Sequence, residues 1–169
     1  MNLIKSDRQR RGEMPLYQPI LRKLQSVKGS KWGGVKFLYS AIYRIIGRMY
    51  CNEISYEAEI GPGLYIGHPS CITVNSRAKI GKNCNIHKGV TIGRENRGKR
   101  KGAPTIGNNV WIGINSTIVG KITIGDDVLI APNSYVNCDV PSHSIVFGNP
   151  CIIKHSDNAT RDYINNPID

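Results

Sequence analysis

The chain has 169 residues, a formal net charge of +11 and a composition that is 40% hydrophobic, 21% charged and 7% aromatic. That is room for one domain plus an appendage, with enough apolar content for a core; no apolar run is long enough to span a membrane. The excess of positive charge implies an anionic partner or surface, and nucleic acid, anionic lipid and a polyphosphate cofactor would each satisfy it.

Residues 1–53 differ in kind from the rest of the chain. Met1 to Gly12 is polar and basic, with Asp7 among Lys5, Arg8, Arg10 and Arg11. It lacks the apolar core of a signal peptide, so a cytoplasmic location is expected. Pro15 suits the opening of a short helix, with Pro19 still in its first turn. Gly29, Gly33 and Gly34 mark a turn. From Val35 to Tyr50 the residues Val35, Leu38, Ile42, Ile45, Ile46 and Met49 recur at helical spacing, with Lys36, Arg44 and Arg48 between them. That predicts an amphipathic helix. Its apolar face is expected to pack on the end of the next domain or on a neighbouring subunit; contact with a membrane surface is the alternative. Residues 1–53 therefore read as a helical cap.

Residues 54–141 count in sixes. Isoleucine or valine stands at Ile54, Ile60, Ile66 and Ile72, then at Val74, Ile80, Ile86 and Ile92, then at Ile106, Ile112, Ile118, Ile124, Ile130 and Val136. Glycine often follows, and a small or apolar residue usually stands two positions before. A six-residue period fits neither an α-helix nor a half-buried strand; it marks a parallel β-helix whose aliphatics fill the axis. The expected fold is mainly β, with a small α-helical N-terminal cap. The repeat slips just after His68 and breaks between Ile92 and Ile106. Solenoids take insertions at corners, and such loops often build the binding face, so His68 and the loop after Ile92 draw attention.

That loop, residues 93–105, carries Arg94, Arg97, Lys99, Arg100 and Lys101 against Glu95. It reads as a projecting corner, either simply solvated or in contact with a polyanionic cofactor. After Val140-Pro141 the repeat ends, and residues 142–169 form a turn at Gly148-Asn149-Pro150 and a polar tail. The five cysteines, Cys51, Cys71, Cys84, Cys138 and Cys151, are odd in number and lack metal-ligand spacing, which argues against a disulfide framework and a zinc site. His68 and His87 are too few for a metal centre.

The repeats, with GLYIGHP at 63–69, NIHKGVTIG at 85–93 and FGNPCIIK at 147–154, resemble the hexapeptide-repeat acyltransferases. The nearest likeness is to the serine acetyltransferase-like branch and its short relatives in polysaccharide biosynthesis. The resemblance implies a left-handed β-helix, a homotrimer with active sites between subunits, and acetyl-CoA as co-substrate. It makes His68 the general base and Glu59 the carboxylate that orients it. It places Gly93, Gly113, Ile114, Ala131 and Pro132 along the acetyl-CoA groove and Lys154 near the cofactor's phosphates. Asp7 matches a serine-contacting aspartate, and His87 is a candidate acceptor contact. There are departures. The aspartate expected just before the catalytic histidine is Gly67, and a second histidine expected after the projecting loop is replaced by Gly102-Ala103-Pro104. Where the family has a large helical domain, 53 residues precede the first repeat. These departures favour a sugar hydroxyl over free serine.

The residues themselves suit that chemistry. A neutral imidazole can take the proton of an attacking hydroxyl near pH 7 and return it to a leaving thiolate, whose thiol has a pKa of about 8.5 by analogy with cysteine. A carboxylate would fix the imidazole's tautomer, and backbone N–H groups at corners would hold the oxyanion. No nucleophilic side chain is required, so direct transfer is the simplest route. Nucleic-acid binding is disfavoured because the basic loop lacks aromatics. A non-catalytic scaffold on the same fold is the alternative of another class.

Overall fold

The computed structural model describes residues 2–28 and 33–169. It begins with three helices, α1 (Leu3–Arg11), α2 (Tyr17–Ser26) and α3 (Gly33–Met49). The Asn2 side chain accepts hydrogen bonds from the amides of Ile4 and Lys5 and so starts α1, a helix its polar sequence did not announce. Gly29 of the expected turn lies outside the described residues, and Gly33 and Gly34 already belong to α3.

Fifteen short strands follow among the described residues and stack into three sheets. The first sheet holds β1 (Glu53–Ile54), β4 (Thr73–Val74), β7 (Thr91–Gly93), β10 (Thr117–Val119) and β13 (Tyr135–Val136). The second holds β2 (Glu59–Ile60), β5 (Lys79–Ile80), β8 (Thr105–Ile106) and β11 (Thr123–Ile124). The third holds β3 (Tyr65–Gly67), β6 (Asn85–His87), β9 (Val110–Ile112), β12 (Val128–Ile130), β14 (Ser144–Phe147) and β15 (Ile152–His155). All pairings are parallel except β14 with β15. From β1 to β13 successive strands in the chain belong to successive sheets, so the chain winds as a parallel β-helix. The repeat aliphatics stack in register up the axis: Ile54, Val74, Ile92, Ile118 and Val136 on one face, Ile66, Ile86, Ile112, Ile130 and Val146 on another, all buried. Pairing continues past Pro141, with Val146 in register with Ile130.

The first slip now has a structure. Ile72 does not head a strand; it is the buried residue two before Val74. The chain leaves β3 by a corner two residues longer than the repeat allows, and His68 sits in that excess.

A β-helix end exposes apolar side chains and unpaired carbonyls, and the N-terminal helices supply what it lacks. Tyr17 and Leu21 pack on the core. Arg22 donates to the carbonyls of Ile60 and Gly61, Gln18 to that of Leu64, Gln25 to that of Ala58, and Arg10 to that of Gly63. Part of the basic charge of this segment is therefore spent on the first coil. α3 turns Tyr43 and Ile46 to the core, with Tyr50 just beyond its end, so of the expected apolar face Ile46 alone is among the residues packed there. Of the rest of that face Val35, Leu38, Ile45 and Met49 are exposed, Met49 by 77%.

The tail is a strap. From β15 it runs back down the outside of the helix. Ala159 and Thr160 bond to Asp127, Tyr163 meets Trp111 and Asn85, Ile168 bonds to Asn83, and the Asn165 carbonyl accepts from Arg10. All five cysteines are free, with the sulfurs of Cys138 and Cys151 3.7 Å apart.

Candidate active site

The corners that follow the third sheet's strands form one column. The amides of Lys88, Asn115 and Asn133 donate to the carbonyls of Gly67, Lys88 and Ile114, at 3.1, 3.0 and 2.9 Å. His68, Lys88, Ile114 and Pro132 thus stand on consecutive coils along one edge, about 4.8 Å per step. A cleft of about 510 Å³ opens on it, lined by Tyr50, His68, Pro69, Ser70, Lys88 and Ile114.

In this column each coil turns through one left-handed residue: Cys71 at φ 57°, Gly89 at 73°, Asn115 at 59° and Asn133 at 59°. The first coil has a second, His68 at φ 53°. A non-glycine residue in that region is uncommon and tends to mark a functional site. The two-residue excess makes this bulge and leaves the imidazole exposed, with no hydrogen bond to another described side chain or backbone group. A base that must meet a substrate needs that freedom.

Several expected residues join His68. Gly113, Ile114, Ala131 and Pro132 lie in the column above it. A Cβ at Gly113 would stand 2.6 Å from the Pro132 nitrogen, so only glycine lets these two coils stack. Lys154, at the top of the third sheet, lies 5.7 Å above the Phe147 ring. Others stand apart. Gly93 is against Val119 at the end of the first sheet, on a different edge within one chain. The loop after it is folded, with Glu95 bridging Lys101 and Gly102 and bonding Arg100 at 2.9 Å. Arg94, Arg97, Lys99 and Lys101 project from it without an ion pair among the described residues.

Glu59 is not where the resemblance put it. It lies on the second sheet, one face away from His68, and its carboxylate meets Lys79 at 3.3 Å. The acidic residue on the coil beneath the His68 corner is Glu53, which sequence reading passed over. Its amide donates to the Ile72 carbonyl at 2.8 Å, and the neighbouring Asn52 side chain bonds to Pro69 and Ile72. The signal that could have found it is stacking: β1 lies beside β4, the strand that the His68 corner leads into.

Asp7 also belongs elsewhere. It is completely buried, and its oxygens accept from Arg22, Gln18 and the Leu64 amide. No lone pair faces a cleft; it neutralises the arginine that caps the first coil. His87 faces outward from the third sheet rather than into the cleft. Its Nδ1 donates to the Ile112 carbonyl at 2.8 Å, and its ring lies 4.6 Å from that of Trp111. The same ring explains Gly67. A Cβ there would collide with His87 Cδ2, so an aspartate at this position has no room.

Comparison with known proteins fits this arrangement. The model of the bacterial transferase hexapeptide (six repeats) matches residues 103–138. The chain is 38% identical over 96 residues to the serine acetyltransferase of Helicobacter pylori, covering 57% of this chain and 56% of that protein. The chain is thus similar to the hexapeptide-repeat acyltransferases, and residues 103–138 carry their repeat. Its fold is accordingly a left-handed parallel β-helix with a small helical cap. Serine acetyltransferase 2 of Arabidopsis thaliana is 36% identical over 117 residues, 69% of this chain and 36% of that one. This hexapeptide-repeat chain thus spans between about a third and just over half of these relatives' length. Among solved structures, soybean serine acetyltransferase complexed with serine superposes with a TM-score of 0.75 at 26% identity, over 90% of this chain and 68% of that one. Serine acetyltransferase in complex with coenzyme A from Brucella abortus gives 0.72 at 26% identity, over 82% and 54%. No group of three or more metal-ligating side chains occurs among the described residues, and no described helix is long and apolar enough to cross a membrane.

Proposed function

We propose that the protein is an acetyl-CoA-dependent O-acetyltransferase in which His68 is the general base, and that its acceptor is a sugar hydroxyl. The observation that carries this is the cleft that joins an unpaired imidazole to Lys88 and Ile114 of the corner column. Acetyl-CoA would lie along that column with its thioester at the His68 end. Lys154 would be near its phosphates, and the loop cations near those of a neighbouring copy. The acceptor hydroxyl gives its proton to His68 as its oxygen attacks the thioester carbonyl. The C–S bond then breaks, the proton passes to the thiolate, and CoA thiol and the acetyl ester leave. Glu53 is the better placed of the two carboxylates to steady the imidazolium. A homotrimer fits this reading, since a second copy would bring the Gly93 edge against the Gly113 edge.

Serine is the alternative acceptor, because the relatives bear the name serine acetyltransferase. The two readings separate in one assay, release of CoA thiol from acetyl-CoA with sugars, nucleotide sugars or L-serine. Sugar-dependent release that disappears in His68→Ala is the expected result. Release with serine alone would replace the sugar by serine, and release undiminished in His68→Ala would remove His68 from the chemistry.

A further inference from the structure

The cleft beside His68 has a cation and no anion. Of its six lining residues Lys88 alone carries a fixed charge. The Lys88 backbone is pinned from both sides, its amide on the Gly67 carbonyl and its carbonyl on the Asn115 amide. Its ammonium forms no ion pair among the described residues and is free to swing over the cleft. An exposed ammonium with no carboxylate lining its cleft is an anion site in waiting, because a charge-assisted hydrogen bond is among the stronger polar contacts available.

A free amino acid presents the wrong charge here. Its own ammonium needs a carboxylate partner in the cleft, and Glu53, on the coil beneath, does not line it and is assigned to the imidazolium. Gly67 cannot become one, since the His87 ring occupies the space of its Cβ, and Asp7 is saturated by Arg22, Gln18 and Leu64. Lys88 would add repulsion to that lack.

We propose that Lys88 is a specificity-determining residue that binds an anionic group of the acceptor. The acceptor is then a sugar bearing a carboxylate or a phosphate, held so that a hydroxyl reaches His68. This rests on the acetyltransferase reading and narrows its substrate class.

The experiment compares wild type with Lys88→Met and Lys88→Arg. The probes are a uronic acid, its neutral amide, a sugar phosphate, the parent sugar and L-serine. Binding to the CoA-saturated protein is measured by calorimetry, and turnover by CoA thiol release. Lys88→Met should raise the Kd and KM of the anionic probe about 10-fold or more with kcat within about twofold, and leave the neutral amide unaffected. Lys88→Arg should restore much of the loss, and added salt should weaken wild type but not Lys88→Met. The uronic acid and sugar phosphate arms tell which anion is meant. Equal losses for charged and neutral probes, or wild-type preference for a neutral sugar or serine, would overturn the proposal. Binding keeps the two readings separable. Charge-selective binding that needs Lys88, without turnover, upholds the site and removes the acetyltransfer. Turnover lost in His68→Ala but indifferent to Lys88 does the reverse.

Discussion

His68 is a histidine held at positive φ by a two-residue excess, and the chemistry assigned to it makes the sharpest predictions. His68→Ala should lower kcat by about 10²- to 10⁴-fold, the usual worth of a general base, with little change in thermal stability because the ring is exposed. Glu59→Gln should leave kcat unchanged, since Glu59 is engaged with Lys79 on another face. Glu53→Gln should lower kcat several-fold. Equal activity in the two glutamine variants would remove Glu53 from the mechanism. Cys84 behaves differently from both. Burial pushes its thiol up to about 12, against hydrogen bonds and Arg10 that act the other way. It should resist alkylation in the native state while the four other thiols react. Its contribution to stability is intact below about pH 9, where the unfolded thiol begins to ionise, and is lost as pH rises toward 12.

At the scale of elements, the cap and the strap hold the two ends of the helix to its side. Asp7 and Arg22 are both buried, 2.7 Å apart, and Arg22 also serves two carbonyls of the first coil. Arg22→Ala leaves a buried carboxylate without its counter-charge and two carbonyls without their arginine donor, and should cost about 3–5 kcal/mol in denaturant unfolding. The strap depends on Asp127. Burial acts to raise its pKa, but hydrogen bonds from Thr160, His143 and the Ala159 amide outweigh it and hold the carboxylate below its ordinary value. A depressed pKa stabilises above the unfolded value of about 3.9 and is lost as pH falls through the folded one. Hydrogen exchange of Ala159 and Thr160 should therefore accelerate below about pH 4 before the coils themselves open. Protection that persists there would mean that Tyr163 on Trp111 carries the strap instead.

The whole molecule is defined by its edges. Within one chain Gly93 and its basic loop stand on one edge and the Gly113–Pro132 column on another, so the acetyl-CoA groove is expected to be completed only between copies. Light scattering should give three times the 18.7 kDa chain mass. Activity per chain should fall on dilution to monomer, and full activity in a monomer would discard the shared groove. α3 answers the amphipathic pattern only in part: Ile46 packs on the core with Tyr43, while Leu38, Ile45 and Met49 face outward.

Much of this structure is legible along the chain because a β-helix is nearly one-dimensional. Each hexapeptide contacts its neighbours in a fixed register, so the period alone determines which aliphatics line the axis and where a corner must bulge. His68 stands out for that reason, as an excess of two residues in a count of six. What lies between coils is not legible, because residues about 20 apart become neighbours by stacking and their side chains turn to one of three faces. That is why the resemblance could assign Glu59 as the partner of His68, while Glu53 occupies the coil beneath its corner. It is also why Asp7 looks available in the sequence, although α2 folds back to bury it under Arg22. Only the tertiary structure decided that His87 forbids a side chain at Gly67. The same folding left the lysine after His87 as the one fixed charge among the residues that line the cleft at the base.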